Sequence, residues 1–316
     1  MMPPRSKVHR MTRLALPVIF CLLAGACSLP VRAQDSTSFY GMTPDAIAPA
    51  LRRIGADHPD FRDRIGVVSS YFLGTPYVLG PLGEGPRGEF DRNPIVSFSA
   101  LDCTTFVEET IAFSLEPNLA KGTALLQKIR YKDGVISYQT RNHFASVDWI
   151  PNNIKAGFIK DITRDIAGDR TRIATKTISK SAWYAAKSAA NLENISGLDP
   201  ARQDALVAKW RSLGANMPDQ KASLPYVPMD VLPEVLDSIP SGTIANLVRV
   251  DDPSKPVLVS HQLLIIDKGG QAYVREAAYD DKVKDIPAME YFKIYQNSKW
   301  PLLGLNLDEI LPRSRP

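Results

Sequence analysis

Two runs, Val257-Leu258-Val259-Ser260-His261-Gln262-Leu263-Leu264-Ile265-Ile266 and Gln271 to Ala278, flank the turn Asp267-Lys268-Gly269-Gly270. No other feature constrains the fold as much, because apolar runs on either side of such a turn specify an antiparallel hairpin. Thr243 to Val250 precedes it as a further strand. Helices are expected near the start: Thr43 to Ala56, with Thr43 capping and Pro44 at the first helical position, and Asp60 to Leu73. Helices on the N-terminal side and antiparallel strands at the end make the fold class α+β.

A third helix is signalled by Leu101-Asp102-Cys103-Thr104-Thr105-Phe106-Val107-Glu108-Glu109-Thr110-Ile111. Phe106, Val107, Ile111, Phe113 and Leu115 suit a buried stripe, and Asp102, Thr104 and Thr105 are residues that cap helix starts. Cys103 then sits in the first turn, where free N–H groups and the positive end of the helix dipole favour a thiolate. Alone, a cysteine before an apolar helix reads as a small buried residue. The cysteine inventory changes that balance. Of three cysteines, Cys21 and Cys27 lie in or beside a targeting segment: Arg5, Lys7, Arg10 and Arg13 precede an apolar run from Leu14 to Ala26. Residues 1–33 read as a signal peptide cleaved before Gln34, with a lipoprotein signal at Cys27 as the competing pattern. The protein is therefore expected to be exported to the periplasm, touching a membrane only if Cys27 is lipidated. Cys103 is left without an internal disulfide partner, which favours a reactive role.

The formal net charge of +4 over 316 residues leaves no nucleic-acid footprint. Residues 34–316 read as one domain with a helical insertion around 176–235, built from Ser179 to Asn194 and Asp199 to Leu213. Gly74-Thr75-Pro76-Tyr77 begins a structured loop. Ile129 to Tyr138, centred on Asp133-Gly134, reads as a hairpin leading into Arg141-Asn142-His143-Phe144 and Asp148-Trp149. Those polar groups among aromatics suit a ligand-facing loop, while core roles for Phe144 and Trp149 weigh about equally.

His261 is the better of the two histidines after Cys103 as a base, since an imidazole inside an apolar strand needs partners to be tolerated. Glu276 falls roughly opposite it across the hairpin and is the candidate to fix its tautomer. Structural alternatives are a core histidine bonded to backbone and a solvated glutamate.

Together, Gly74-Thr75-Pro76-Tyr77, Asp102-Cys103-Thr104-Thr105-Phe106-Val107-Glu108, Arg141-Asn142-His143-Phe144 with Asp148-Trp149, and Ser260-His261 before a strand resemble the N-acetylmuramoyl-L-alanine amidase-like family of NlpC-type papain-like cysteine peptidases. The resemblance runs from about Phe61 to Leu311. It implies a papain-like core, with Cys103 heading a helix packed on the antiparallel sheet that carries His261. It also implies peptidoglycan as substrate, no cofactor and no metal. Asp102 and Tyr77 take positions that bind substrate in such enzymes, with Thr104, Arg141, Asn142, His143, Asp148 and Trp149 expected to line the same site. Where relatives often read His-Ala-Ser, this chain reads Glu276-Ala277-Ala278.

The leading reading is an exported hydrolase cleaving either the muramoyl to L-Ala bond or a γ-D-Glu to diamino-acid bond. Cys103 would be the nucleophile, His261 the base and Glu276 the orienter. A non-catalytic peptidoglycan-binding module is the second class, against which the retained Cys103 and His261 argue. A metal hydrolase is the third, and neither HExxH nor Cys-x-x-Cys occurs.

Overall fold

Thr43 and Asp60 precede the first two helices; the Thr43 side chain makes no capping bond, whereas the Asp60 carboxylate accepts the Arg62 and Asp63 N–H groups. The computed structural model describes residues 38–312; the signal segment with Cys21 and Cys27 lies outside them. The helices are α1 Pro44–Asp57, α2 Phe61–Tyr71, α3 Cys103–Leu115, α4 Leu119–Arg130, α5 Ile150–Lys155, α6 Thr163–Ala167, α7 Lys180–Ala185, α8 Pro200–Gly214, α9 Leu232–Val235 and α10 Ala288–Lys293. The strands are β1 Ile159–Asp161, β2 Arg172–Ile178, β3 Gln220–Pro228, β4 Thr243–Arg249, β5 Val259–Asp267, β6 Ala272–Ala277, β7 Val283–Pro287 and β8 Leu302–Ile310.

All eight strands join one antiparallel sheet in the order β2-β3-β8-β4-β5-β6-β7, with β1 also paired to β8. The last strand among the described residues is therefore an interior one. A buried polar ladder ties it in. Gln262 donates to Asn246, Asn246 donates to Asn306 and Asp308, and Asn306 donates to Asp161 and Thr163. Burial, and then the nearby Asp161, push the Asp308 carboxyl up to about 7.

The cysteine helix α3 packs against α2, α4, β5 and β6. It is buried all round from Thr105 to Ser114, where a single apolar stripe was expected. Its acidic residues are accommodated by partners rather than by solvent. Arg130 Nε donates to Glu108 Oε2 at 2.6 Å, and Trp149 Nε1 donates to Glu108 Oε1 at 3.0 Å. Burial, with a smaller push from Asp102, raises the Glu108 carboxyl, and Arg130 opposes that. Arg130→Ala leaves this carboxylate buried without its cation. The expected cost is about 3–5 kcal/mol, read as a lower midpoint in urea unfolding; a loss below about 1 kcal/mol would show that Glu108 had simply taken up a proton.

Two expectations change. No hairpin forms at Ile129 to Tyr138. Ile129 and Arg130 close α4, only the bridge Tyr131↔Arg141 remains, and Val135 and Ile136 are exposed. An isolated hairpin with no apolar face to bury is marginal, whereas Leu125, Leu126 and Ile129 bury one face of the helix. The turn itself is real, with Asp133 and Gly134 both at positive φ. The segment expected as a helical insertion is a β2–β3 hairpin with α7 and α8 carried between its arms.

Candidate active site

Asp102 is the N-cap of α3, with a reciprocal capping box: its Oδ1 accepts the Thr105 N–H at 2.8 Å, and Thr105 Oγ1 accepts the Asp102 N–H at 2.8 Å. Asp102 Oδ2 takes the Gly80 N–H at 3.1 Å, tying the loop after Tyr77 to the helix start. Cys103 is thus the first residue of a helix whose entry angle is fixed. The Thr105 and Phe106 N–H groups are used by Asp102, leaving those of Cys103 and Thr104 outside the helical ladder. Thr104 Oγ1 lies 3.9 Å from the Cys103 sulfur.

His261 reaches this cysteine because β5 is irregular. Asn246 pairs with Gln262 and Val248 with Val259, so two steps along β4 match three along β5. The extra residue falls at Ser260-His261, a bulge of the kind that re-aims side chains. Continuing the β5–β6 register past Leu264↔Arg275 sets Glu276 across from Leu263, so His261 and Glu276 are diagonal neighbours rather than directly opposite. His261 Nε2 nevertheless lies 2.6 Å from Glu276 Oε2. A carboxylate only accepts, so Nε2 carries the proton and Nδ1 is the ring nitrogen left for Cys103, the neighbour that raises the ring most. Burial disfavours the imidazolium, but Cys103 and Glu276 together outweigh it and hold the ring up to about 10.

Tyr77 stands in the same place. It is bridged to Leu101, and burial, then the proximity of Cys103 and Asp102, push its phenol up. Its ring meets that of the exposed Tyr279 edge-on at 5.3 Å. The site therefore brings together Cys103, His261, Glu276, Tyr77, Asp102 and Thr104.

The Arg141 to Trp149 group is engaged elsewhere. Arg141 Nε donates to Glu84 at 2.8 Å and its Nη2 to Asp91 at 2.9 Å. Asn142 donates to the Ile129 carbonyl and accepts from Asn152, and Asp148 pairs with Lys180. His143 is sandwiched between Tyr138 and Trp183, with ring centroids at 4.3 and 4.7 Å. Its Nε2 donates to the Tyr138 carbonyl at 2.7 Å. Burial, then the Arg141 charge, hold the ring well below its usual range, so it is neutral. Trp149 is 0% exposed and serves the buried Glu108, and Asn142 is buried with both amide ends used inside the fold.

Tyr291, Tyr295 and Arg249, behind Glu276, escaped the sequence reading. The four-residue spacing of Tyr291 and Tyr295 is the one signal for them, and it resembles any buried helix face. Among the described residues, no group of three or more His, Cys, Asp or Glu side chains converges as metal ligands would.

Residues 67–298 match the family model described as AmiA-like, N-acetylmuramoyl-L-alanine amidase-like. Among solved structures, the chain is similar to protein LPG0564 from Legionella pneumophila, at 27% identity and TM-score 0.78, over 85% of this chain and 97% of that one. It is also similar to an N-acetylmuramoyl-L-alanine amidase from Bacteroides uniformis, at 26% identity and TM-score 0.56, over 79% and 99%. No curated protein matches.

Proposed function

Because the chain belongs to the N-acetylmuramoyl-L-alanine amidase-like family, we propose that it is a cysteine-dependent hydrolase that cleaves the amide between muramic acid and L-alanine in peptidoglycan. The observation that carries this reading is His261, bonded through Nε2 to Glu276 with Cys103 on its other side. A pure binding module has no use for that pairing. A helix headed by cysteine and packed on an antiparallel sheet bearing the histidine also supports a papain-like, NlpC-type core.

In this mechanism the Cys103 thiolate attacks the amide carbonyl. Its proton has passed to His261 Nδ1, where Glu276 stabilises the imidazolium and keeps the ring oriented. The N–H groups of Cys103 and Thr104 are aimed as helix-start donors at the developing oxyanion, a contribution of about 3 kcal/mol per donor. His261 then protonates the leaving L-alanine amine, and a water deprotonated by the same ring releases the muramoyl acid from the thioester. Tyr77 and Tyr279 form an aromatic wall beside the sulfur for the substrate.

The test is incubation of the purified protein with defined muropeptides, read as product masses. Free stem peptide beginning with L-Ala plus unsubstituted glycan is expected. Release of a fragment beginning at the diamino acid would replace the bond assignment with the stem-peptide endopeptidase, and absence of any product would leave only binding. Export belongs to the same reading, and the secreted protein's mass should correspond to a chain starting at Gln34; a start at lipidated Cys27 would make it a membrane-anchored protein instead.

His143 is neutral and spent on the Tyr138 carbonyl, so it is not the base. His143→Ala should leave kcat within about tenfold of wild type and act mainly through KM and stability. A fall of several orders of magnitude in kcat, with the fold intact, would transfer the base role from His261 to His143.

A further inference from the structure

We propose that the hydroxyls of Tyr291 and Tyr295 form a relay that tempers the Glu276 carboxylate and so sets the pH at which His261 gives up its proton. The inference rests on the hydrolase reading of the Cys103 site. Tyr291 acts through Glu276 and is a positioning residue.

Glu276 Oε2 accepts two bonds, from His261 Nε2 at 2.6 Å and from Tyr291 OH at 2.9 Å. A phenol has one proton, and Tyr291 spends it on the carboxylate. The 3.0 Å contact between the two phenol oxygens is then Tyr295 OH donating to Tyr291. Every donor in the series points toward one carboxylate oxygen, an arrangement in which successive bonds polarise one another. The far end is held by Arg249, whose guanidinium lies over the Tyr295 ring with its carbon 4.5 Å from the centroid. The same arginine donates to Ser260 Oγ and to the Trp300 carbonyl, each at 2.7 Å. Arg249 therefore grips the β5 bulge beside His261 and also backs the relay.

Other charged groups around the pair are accounted for. Cys103 faces the ring from α3, with Tyr77 and Asp102 beside the sulfur. Lys284 lies opposite Glu276 in the β6–β7 register, and its ammonium is taken by Asp281. Arg275, on the adjacent position of β6, is paired with Asp285.

A donor on a carboxylate spreads its charge and weakens its hold on a neighbouring cation. Removing the Tyr291 hydroxyl should make Glu276 more basic, tighten its hold on the His261 proton, and free the carboxylate to turn. For Tyr291→Phe the alkaline limit of kcat/KM should move up by about half a pH unit or more, with kcat about three- to tenfold lower and KM within about twofold. Tyr295→Phe should shift the limit in the same direction by less. An unchanged or lowered limit in folded Tyr291→Phe overturns the relay. Should that variant not fold, Tyr295→Phe decides by the same criterion. The ring titration of His261, followed by NMR in the protein without substrate, should show the same upward shift in either variant, and its absence overturns the relay. Because that readout needs no turnover, it separates failure of the relay from failure of the hydrolase reading, which Cys103→Ala tests.

Discussion

Cys103→Ala is expected to lower muropeptide hydrolysis by about four orders of magnitude or more, because the variant has no atom able to form the thioester. The fold should be retained. Cys103 is only partly buried, its side chain makes no structural bond beyond the Thr104 hydroxyl and the His261 ring, and alanine is well tolerated at a helix start. The thermal midpoint, followed by circular dichroism beside the product assay, should therefore move little. The loss of His261's sulfur neighbour has a separate signature. Its pKa should fall from about 10, since Cys103 is the first of the groups that raise it. Substantial hydrolysis by the pure, folded variant would end the cysteine mechanism.

Glu276→Gln is expected to lower kcat by about two to four orders of magnitude with KM changed little. The amide either presents its NH2 to the ring, which forces the wrong tautomer, or presents its oxygen, which keeps the tautomer but removes the counter-charge. In both cases the imidazolium is less stable. The alkaline limit of activity should drop below that of the wild type, the opposite sign to Tyr291→Phe. Stability follows by linkage. A histidine raised to about 10 in the folded protein, from about 6.5 unfolded, adds stability that is fully present below pH 6.5 and lost as pH rises through 10. The Gln variant should lose part of that alkaline dependence in denaturant titrations at stepped pH, the share held by Cys103 remaining. Wild-type rates across the pH range would show that another group orients the ring.

Much of the site could be read from the chain because its residues break local rules. A histidine within an apolar strand and a lone thiol behind a helix cap both stand out. Their separation along the chain did not hide them, since each carries its signal within a few residues. The diagonal placement of Glu276 was not legible, because it depends on the turn closing at Asp267↔Ala272, and the turn residues alone leave that register open by a residue or two. Strands β2 and β8 were missed for another reason. Lys176 in β2 points inward and is paired with Asp251, and Asn306 and Asp308 in β8 are buried on partners from β1, β4 and α6. Polar residues satisfied by distant segments look like exposed ones when only their neighbours in sequence are visible. The ties of the Arg141 to Trp149 group were hidden in the same way, since its partners Glu84, Asp91, Glu108 and Lys180 come from other elements.

The interior position of β8 gives synthesis an order. While the chain emerges from its N-terminus, β3 and β4 lack the strand that must lie between them, and the polar ladder of Asn246 has no Asn306 or Asp308 to receive it. Pairings of such long sequence separation form late. A nascent chain that already contains Cys103, His261 and Glu276 thus holds all three without the scaffold that sets them in register. On the hydrolase reading, the Cys103, His261 and Glu276 arrangement gains its full sheet only when β8 has entered between β3 and β4.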